Sequence, residues 1–280
     1  MKKAKFSTLL ICFASASLLT VAFALLPKMA PAQTSSVHLT MGNPSNAGTS
    51  NLNDYLLSKT QYATSHNCSK GTPNWVSWQL NSSWLGSAAR QDDFRADFIL
   101  PAGCYRVQST SYQGSGFDRG HMTPSADRTN SAANNSATFL MTNFVPQSPD
   151  NNQGVWESLE SYCRTLVSQG NELYIISGPL GTGGTGSAGF KSAIDSNRIT
   201  VPSSVWKVIV VVAPGTGPSG VTTNTRVIAV NIPNTQGIRT APWRNYRVTV
   251  DSIENATGYN FLSNVSTSVQ SVIEARIDNL

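Results

Sequence analysis

Histidine is scarce in this chain of 280 residues: there are three, His38, His66 and His121. Side chains that can take a proton near neutral pH therefore have few places to sit. Cysteine is nearly as rare, at four residues, and no Cys-x-x-Cys occurs. That spacing is what a zinc ribbon or a thiol redox centre would need, so neither is suggested. There is no Gly-x-Ser-x-Gly, the strand-to-helix turn that exposes a nucleophilic serine. Charged residues make up only 12% of the chain, which leaves the surface to Ser, Thr and Asn.

Strong positive charge is also missing once the N-terminus is set aside. Lys2, Lys3 and Lys5 precede a nearly continuous apolar run from Ser7 to Leu26, and Ala30-Pro31-Ala32 follows with small residues. This pattern predicts a secretory signal peptide over 1–32, cut after Ala32, and export from the cytoplasm to a secreted or periplasmic location. An uncleaved membrane anchor is the alternative, since about 20 residues can span a bilayer. The whole chain has 20 Lys+Arg and 15 Asp+Glu, and the leader holds Lys2, Lys3, Lys5 and Lys28 with no acid. The remainder has 16 bases against 15 acids, a formal charge of +1. A nucleic-acid partner cannot be argued from net charge, and any basic footprint must be local.

Against this background one stretch stands out: Gly114-Ser115-Gly116-Phe117-Asp118-Arg119-Gly120-His121-Met122-Thr123-Pro124-Ser125-Ala126-Asp127-Arg128. Here a histidine has a cation and a carboxylate beside it on a Gly-rich turn. A neutral imidazole can accept a proton from water, and an arginine can hold a phosphate. A second group follows in Asn152-Gln153-Gly154-Val155-Trp156-Glu157-Ser158-Leu159-Glu160-Ser161-Tyr162-Cys163-Arg164. Val155, Leu159, Tyr162, Cys163, Leu166 and Val167 recur at helical spacing, and Gly170 closes the run, which predicts an amphipathic helix starting near Asn152. Glu160 and Arg164, four apart, read in isolation as a solvated ion pair worth a few tenths of a kcal/mol.

Together the two groups resemble the secreted, sugar-non-specific DNA/RNA endonucleases with a ββα-metal site. Asp-Arg-Gly-His followed by Asn-Gln-Gly-x-Trp and Glu-x-x-x-Arg is specific at this spacing. The segments Leu80–Gly86, Arg90–Arg95, Ala137–Asn143 and Thr225–Asn234 resemble the cyanobacterial branch of that family, and the likeness covers roughly residues 40–280. The resemblance implies a phosphodiester hydrolase making 5′-phosphate products. It implies that His121 is the general base and that Asn152 is the one direct ligand of Mg²⁺ or Mn²⁺. It implies that Glu160 acts on that ion through water, that Asp118 does the same or orders the motif turn, and that Arg90, Arg119 and Arg164 are phosphate clamps. Arg95 competes with Arg90 for its role, and Arg128 matches without a catalytic assignment. The implied partners are double- and single-stranded DNA and RNA; polypeptide inhibitors block relatives. Two alternatives stay open: a phosphodiesterase of narrower substrate range, which a lidded pocket would favour, and a catalytically inactive secreted nucleic-acid-binding module.

For the fold, strands are expected at 74–80, 138–145, 172–177, 205–212 and 226–232, with short helices opening at Asp251 and spanning Ser268–Ile277. Residues 33–52 are expected to lie loosely on the surface, and 53–280 to form a single nuclease domain. This is an α+β pattern: a central, mostly antiparallel sheet flanked by helices. Cys163 falls on the apolar side of the predicted helix, as a free buried thiol. Cys68–Cys104 is then the bridge that export permits. Gly181-Thr182-Gly183-Gly184-Thr185-Gly186 matches a dinucleotide fingerprint, but no helical stripe follows it, so it reads as a surface loop.

Overall fold

The structure, a computed structural model, describes Met1 and residues 36–280; the expected leader and its cleavage point lie outside the described residues. Apolar and β-branched runs build most of the strands, and their alternation decides which face each residue serves. β1 (Tyr55–Ser58), β2 (Ala63–Asn67) and β3 (Thr72–Leu80) form a meander. β4 (Asp118–His121) and β5 (Phe144–Gln147) pair as a separate antiparallel ribbon, with helix α1 (Ala132–Ala137) between them in sequence. Helix α2 (Glu157–Ser168) leads directly into β6 (Glu172–Leu180). Two small ribbons follow, β7 (Gly184–Gly186) with β8 (Gly189–Lys191) and β9 (Ala193–Ile194) with β10 (Ile199–Thr200). β11 (Ser204–Val212) and β12 (Arg226–Pro233) complete the strands, and α3 (Val250–Thr257) and α4 (Thr267–Ile273) close the chain. The central sheet has six strands in the order β1-β2-β3-β6-β11-β12, every neighbour antiparallel.

The two faces of this sheet bury different sets. Trp75, Tyr174, Ile176, Trp206, Val208 and Val210 pack with Val250, Ile253 and Phe261 from the C-terminal helical region. Val76, Trp78, Ile175, Val205, Ile209 and Ile228 pack with Val155, Trp156, Leu159 and Cys163 from the α2 side. Helices thus flank both faces, as the α+β expectation required. Cys68 and Cys104 are joined in a disulfide, with Cα atoms 4.8 Å apart, and Cys163 is free and buried.

Three expectations need correction. Residues 36–52 are not loosely attached: His38, Met41 and Ala47 are buried. His38 Nε2 hydrogen-bonds the Thr60 carbonyl at 2.8 Å, and its Nδ1 accepts from the Gln79 amide at 3.1 Å. The compact unit therefore begins before residue 53 and runs over Ser35–Leu280. The stretch 138–145 is a strand only from Phe144; a 3₁₀ turn occupies Met141–Asn143. Asn143 Nδ2 donates to the carbonyls of Thr123 and Thr138, a polar knot that bends the chain where apolar composition alone predicts extension. The last helix stops at Ile273, short of Ile277.

Candidate active site

The candidate site is a β-ribbon and a helix held together. In the β4–β5 register His121 pairs with Phe144 and Gly120 with Val145. A Cβ at Gly120 would run into the side chain of Gln147, which explains glycine between Arg119 and His121. The chain then enters a π-turn at Asn151–Trp156 before α2 begins. Such widened turns are rare and often sit at functional sites. Gly154 lets that turn pass against the backbone of Arg239, where any Cβ would collide. Trp156, itself buried, donates its indole N–H to the carbonyl of His121 at 3.3 Å, so the ribbon and the turn are tied together.

A cavity of about 450 Å³ opens where these elements meet, lined by Arg90, Arg119, His121, Asn152, Glu160 and Arg164 among others. Asp118 stands just behind it, accepting from Asn152 Nδ2 at 2.9 Å and Gln153 Nε2 at 2.7 Å. All seven sequence-predicted residues thus converge. Beyond Arg119, Asn152 and Gln153 a second hollow of about 490 Å³ continues past Phe94 and Gln113. Arg95 is held by Asp93 at 2.6 Å and by the Ser136 carbonyl at 3.0 Å, and does not line the His121 cavity. Arg128 is fully buried, bonded to the carbonyls of Gln61, Gln79 and Asp127, and works as scaffold. The Gly-rich segment 181–189 does not line the cavity either; it pairs as β7–β8 and docks on the Gly116 carbonyl through Ser187.

Electrostatics distinguish the individual groups. His121 sits among Phe94, Phe139 and Phe144, with ring centroids 6.2, 5.1 and 4.3 Å away. Among the described residues its buried Nε2 has no hydrogen-bond partner, so aromatic packing orients the ring. Burial, with the positive charges of Arg90 and Arg119, holds the imidazole well below its usual pKa and so neutral. Arg119 stacks on Phe94 at 3.7 Å. Arg90 lies 4.9 Å over Phe139 and donates to Ser125 Oγ at 2.8 Å.

The expected Glu160–Arg164 pair is not formed. Arg164 instead donates to Asp127 at 3.1 Å and to Ser161 at 2.8 Å. Glu160 Oε1 faces Lys207 of β11 at 3.7 Å, too long for a hydrogen bond, and among the described residues that oxygen has no hydrogen-bond partner. Burial pushes the Glu160 carboxyl up to about 7; Lys207 pulls it down and Asp127 pushes it up.

Comparison with known proteins fits this geometry. The sequence profile of the DNA/RNA non-specific endonuclease family matches residues 41–268. The chain belongs to that family. It is 57% identical over 247 residues to a nuclease of Nostoc sp., covering 87% of each chain. It is 35% identical over 156 residues to the mitochondrial nuclease EXOG of Mus musculus, 54% of this chain and 42% of that one. The chain therefore spans less than half of that relative. A solved complex of EndoG with EndoGI, described as the mechanism of EndoG inhibition, superposes with a TM-score of 0.68 at 25% identity, over 82% of this chain and 91% of that one. The β4–β5 ribbon with α2 is accordingly the ββα unit of this endonuclease.

Two buried charged residues that contact the candidate site of this endonuclease escaped the motif reading. Asp127 is buried and accepts from both Arg164 and the indole of Trp78, the latter at 3.0 Å. Lys207 is also buried, its ammonium 4.0 Å above the Trp156 ring. Asp127 lies within the motif stretch, but the fold alone links it to α2. Lys207 left a plainer signal, as a lone cation inside an apolar strand, where a buried charge needs a partner.

Proposed function

We propose that this endonuclease hydrolyses the phosphodiester bonds of DNA and RNA with His121 as general base and a divalent ion held by Asn152, leaving 5′-phosphates. The observation that supports this most is the gathering of a neutral histidine, an amide and a buried carboxylate with three arginines around one cavity. The residues fit a hard cation: Asn152 spends its nitrogen on Asp118, leaving its carbonyl oxygen as a donor, and Glu160 keeps an unsatisfied oxygen. Asn152 would bind Mg²⁺ or Mn²⁺ directly and Glu160 through water. When bound, the ion supplies charge stabilisation to the scissile phosphate and the departing 3′ oxygen.

The side chains account for the rest. His121, with Nε2 enclosed by the aromatic cage, accepts the proton of the attacking water at Nδ1, a role typically worth about 10²–10⁴-fold. Arg90, Arg119 and Arg164 hold the phosphate oxygens as charge grows on them. Asp118 fixes the Asn152 amide, and Lys207 holds Glu160 toward its ionised form. Contacts to phosphate carry no base information, which fits cleavage without sequence preference. No group is called on to use a 2′-hydroxyl, so both sugars qualify. Gln153 and Glu157, exposed at the margin, leave the hollow accessible to a polymer, which favours this reading over a small-substrate phosphodiesterase.

We also propose export. The leader pattern motivates it and the Cys68–Cys104 disulfide is consistent with an oxidising compartment. A polypeptide inhibitor covering the same hollow is proposed by analogy with the EndoG complex. The deciding assay incubates purified residues 33–280 with supercoiled DNA, single-stranded DNA and RNA, with Mg²⁺ or Mn²⁺ and with excess EDTA. All three should be cut only with metal, and the products should be ligatable 5′-phosphates. Full activity in EDTA would refute the metal, and cleavage of DNA without RNA would refute sugar-independence. N-terminal sequencing of protein recovered outside the cytoplasm should begin at Gln33.

A further inference from the structure

On the sheet face away from the catalytic cavity, α3 and α4 bring three carboxylates together. Asp251 and Glu254 lie one turn apart on α3, and Glu274 stands at the C-terminal cap of α4. One oxygen from each lies within 4.8 Å of the others. The convergence is built into the backbone, because the Asp251 amide donates to the Glu274 carbonyl at 3.2 Å. Among the described residues no Lys or Arg pairs with any of the three. Arg226 and Arg247 are engaged by Asp278, and Arg276 by the carbonyls of Thr223 and Thr225.

Glu274 is the unusual member. It is 5% exposed, and among the described residues its Oε1 has no hydrogen-bond partner. It also stands at a helix C-terminus, the negative end of the dipole, where a carboxylate is disfavoured. Burial pushes its carboxyl up to about 7, helped by the charges of Glu254 and Asp251. Glu254 spends Oε1 on the Phe261 amide at 2.8 Å, which fixes its direction. A buried, unsatisfied acid aimed at two others costs stability unless a cation joins them.

We infer that Asp251, Glu254 and Glu274 form a second cation site, for a hard divalent ion of the calcium class, that clamps α4 to α3. Calcium takes oxygen ligands at about 2.3–2.6 Å, so no two of its ligands stand more than about 5.2 Å apart, and three oxygens all within 4.8 Å of one another meet that bound. Carboxylates binding through one or both oxygens supply part of the shell, and water completes it. The site serves stability and sits apart from the groove, so it stands or falls independently of the proposed hydrolysis.

The test uses Asn152→Ala, which removes the direct ligand of the groove, as the parent protein. Thermal melting in EDTA is compared with melting in millimolar CaCl₂, and calcium binding is titrated calorimetrically. The parent should gain about 3 °C or more with calcium and bind one ion. Adding Glu274→Gln, close to isosteric, should abolish the gain and weaken binding at least about tenfold; in EDTA it should melt no lower than the parent. Asp251→Asn supplies a second reading should the buried substitution fold poorly, and should weaken binding likewise. No calcium gain in the parent, or an equal gain in the parent and both variants, overturns the site.

Discussion

The two faces of the central sheet use the same strands for opposite purposes. In β11, Trp206, Val208 and Val210 face α3 and α4 in a core with no charged side chain in the strand's own contribution. The residues between them point the other way, Val205 and Ile209 into the second core, with Lys207 in line between them. That face also buries Asp127, half-buries Glu160 and meets Arg164. A core built for stability alone would not place charges there, because desolvation can exceed the gain from pairing. The loose 3.7 Å contact between Lys207 and Glu160 Oε1, an oxygen with no hydrogen bond among the described residues, is a cost that the proposed chemistry on this face would account for.

The largest effect should come from the groove. His121→Ala is expected to lose at least about 10²-fold in kcat while nucleic-acid affinity stays nearly unchanged, since a base acts in the transition state. Near-normal turnover in that variant would remove the histidine from the mechanism and with it the reason for the charged face.

A smaller loss should follow from the strand itself. Lys207→Met keeps length and apolar packing but removes the charge opposite Glu160. It should cut kcat by about 10–100-fold, as for other residues supporting a metal through intermediaries, and should weaken metal binding. High Mg²⁺ should restore part of the rate. A variant that melts lower yet titrates metal like the wild type would make Lys207 a packing residue only.

The pH dependence follows in size. Glu160 has its folded carboxyl raised to about 7. A raised carboxylate costs stability as pH climbs from its unfolded pKa, near 4.3, through about 7, because the buried group must ionise. Metal binding runs the opposite way, since it needs the ionised form. With metal below saturation, kcat/KM should therefore rise about fivefold between pH 6 and 7 and level off above, for loss of a single proton. The limb due to His121 should lie lower, because that imidazole is held well below its usual value. Glu160→Gln should flatten the upper limb; an unchanged profile there would show that another group titrates.

The grouping of the residues proposed to be catalytic was largely legible in the sequence. Asp118, Arg119 and His121 share one strand, which the sequence reads as a Gly-rich turn, and Asn152 to Arg164 run through the π-turn into α2; local spacing is enough to see both groups. What the sequence hid was partnership. Which carboxylate meets Arg164 depends on the Ser125–Asp127 turn folding back to α2, and which cation meets Glu160 depends on strand register, here Lys207 opposite Val230 and Ser177. The burial of His38 and Met41 was hidden likewise, since a Ser- and Asn-rich segment gives no periodic signal even where its few large side chains are buried. The 3₁₀ turn before β5 comes from one asparagine reaching both ways along the chain, a contact composition does not encode.

The smallest kinetic effect tests the other face. Val208→Ala, one residue from Lys207 and fully buried, should destabilise by about 1–3 kcal/mol through lost burial and a small cavity. Its side chain belongs to the core with Val250 and Ile253, across the sheet from the groove. At a temperature where the variant is fully folded, kcat and the apparent metal affinity should match the wild type within error. Melting and turnover measured on the same samples separate the two readings of β11. If Val208→Ala slows cleavage as much as Lys207→Met does, the strand transmits packing to the groove as a unit, and the division of labour between its faces is wrong. If it only melts earlier, alternate residues of one strand carry stability and chemistry separately, and the charge at Lys207 is what the catalytic face requires.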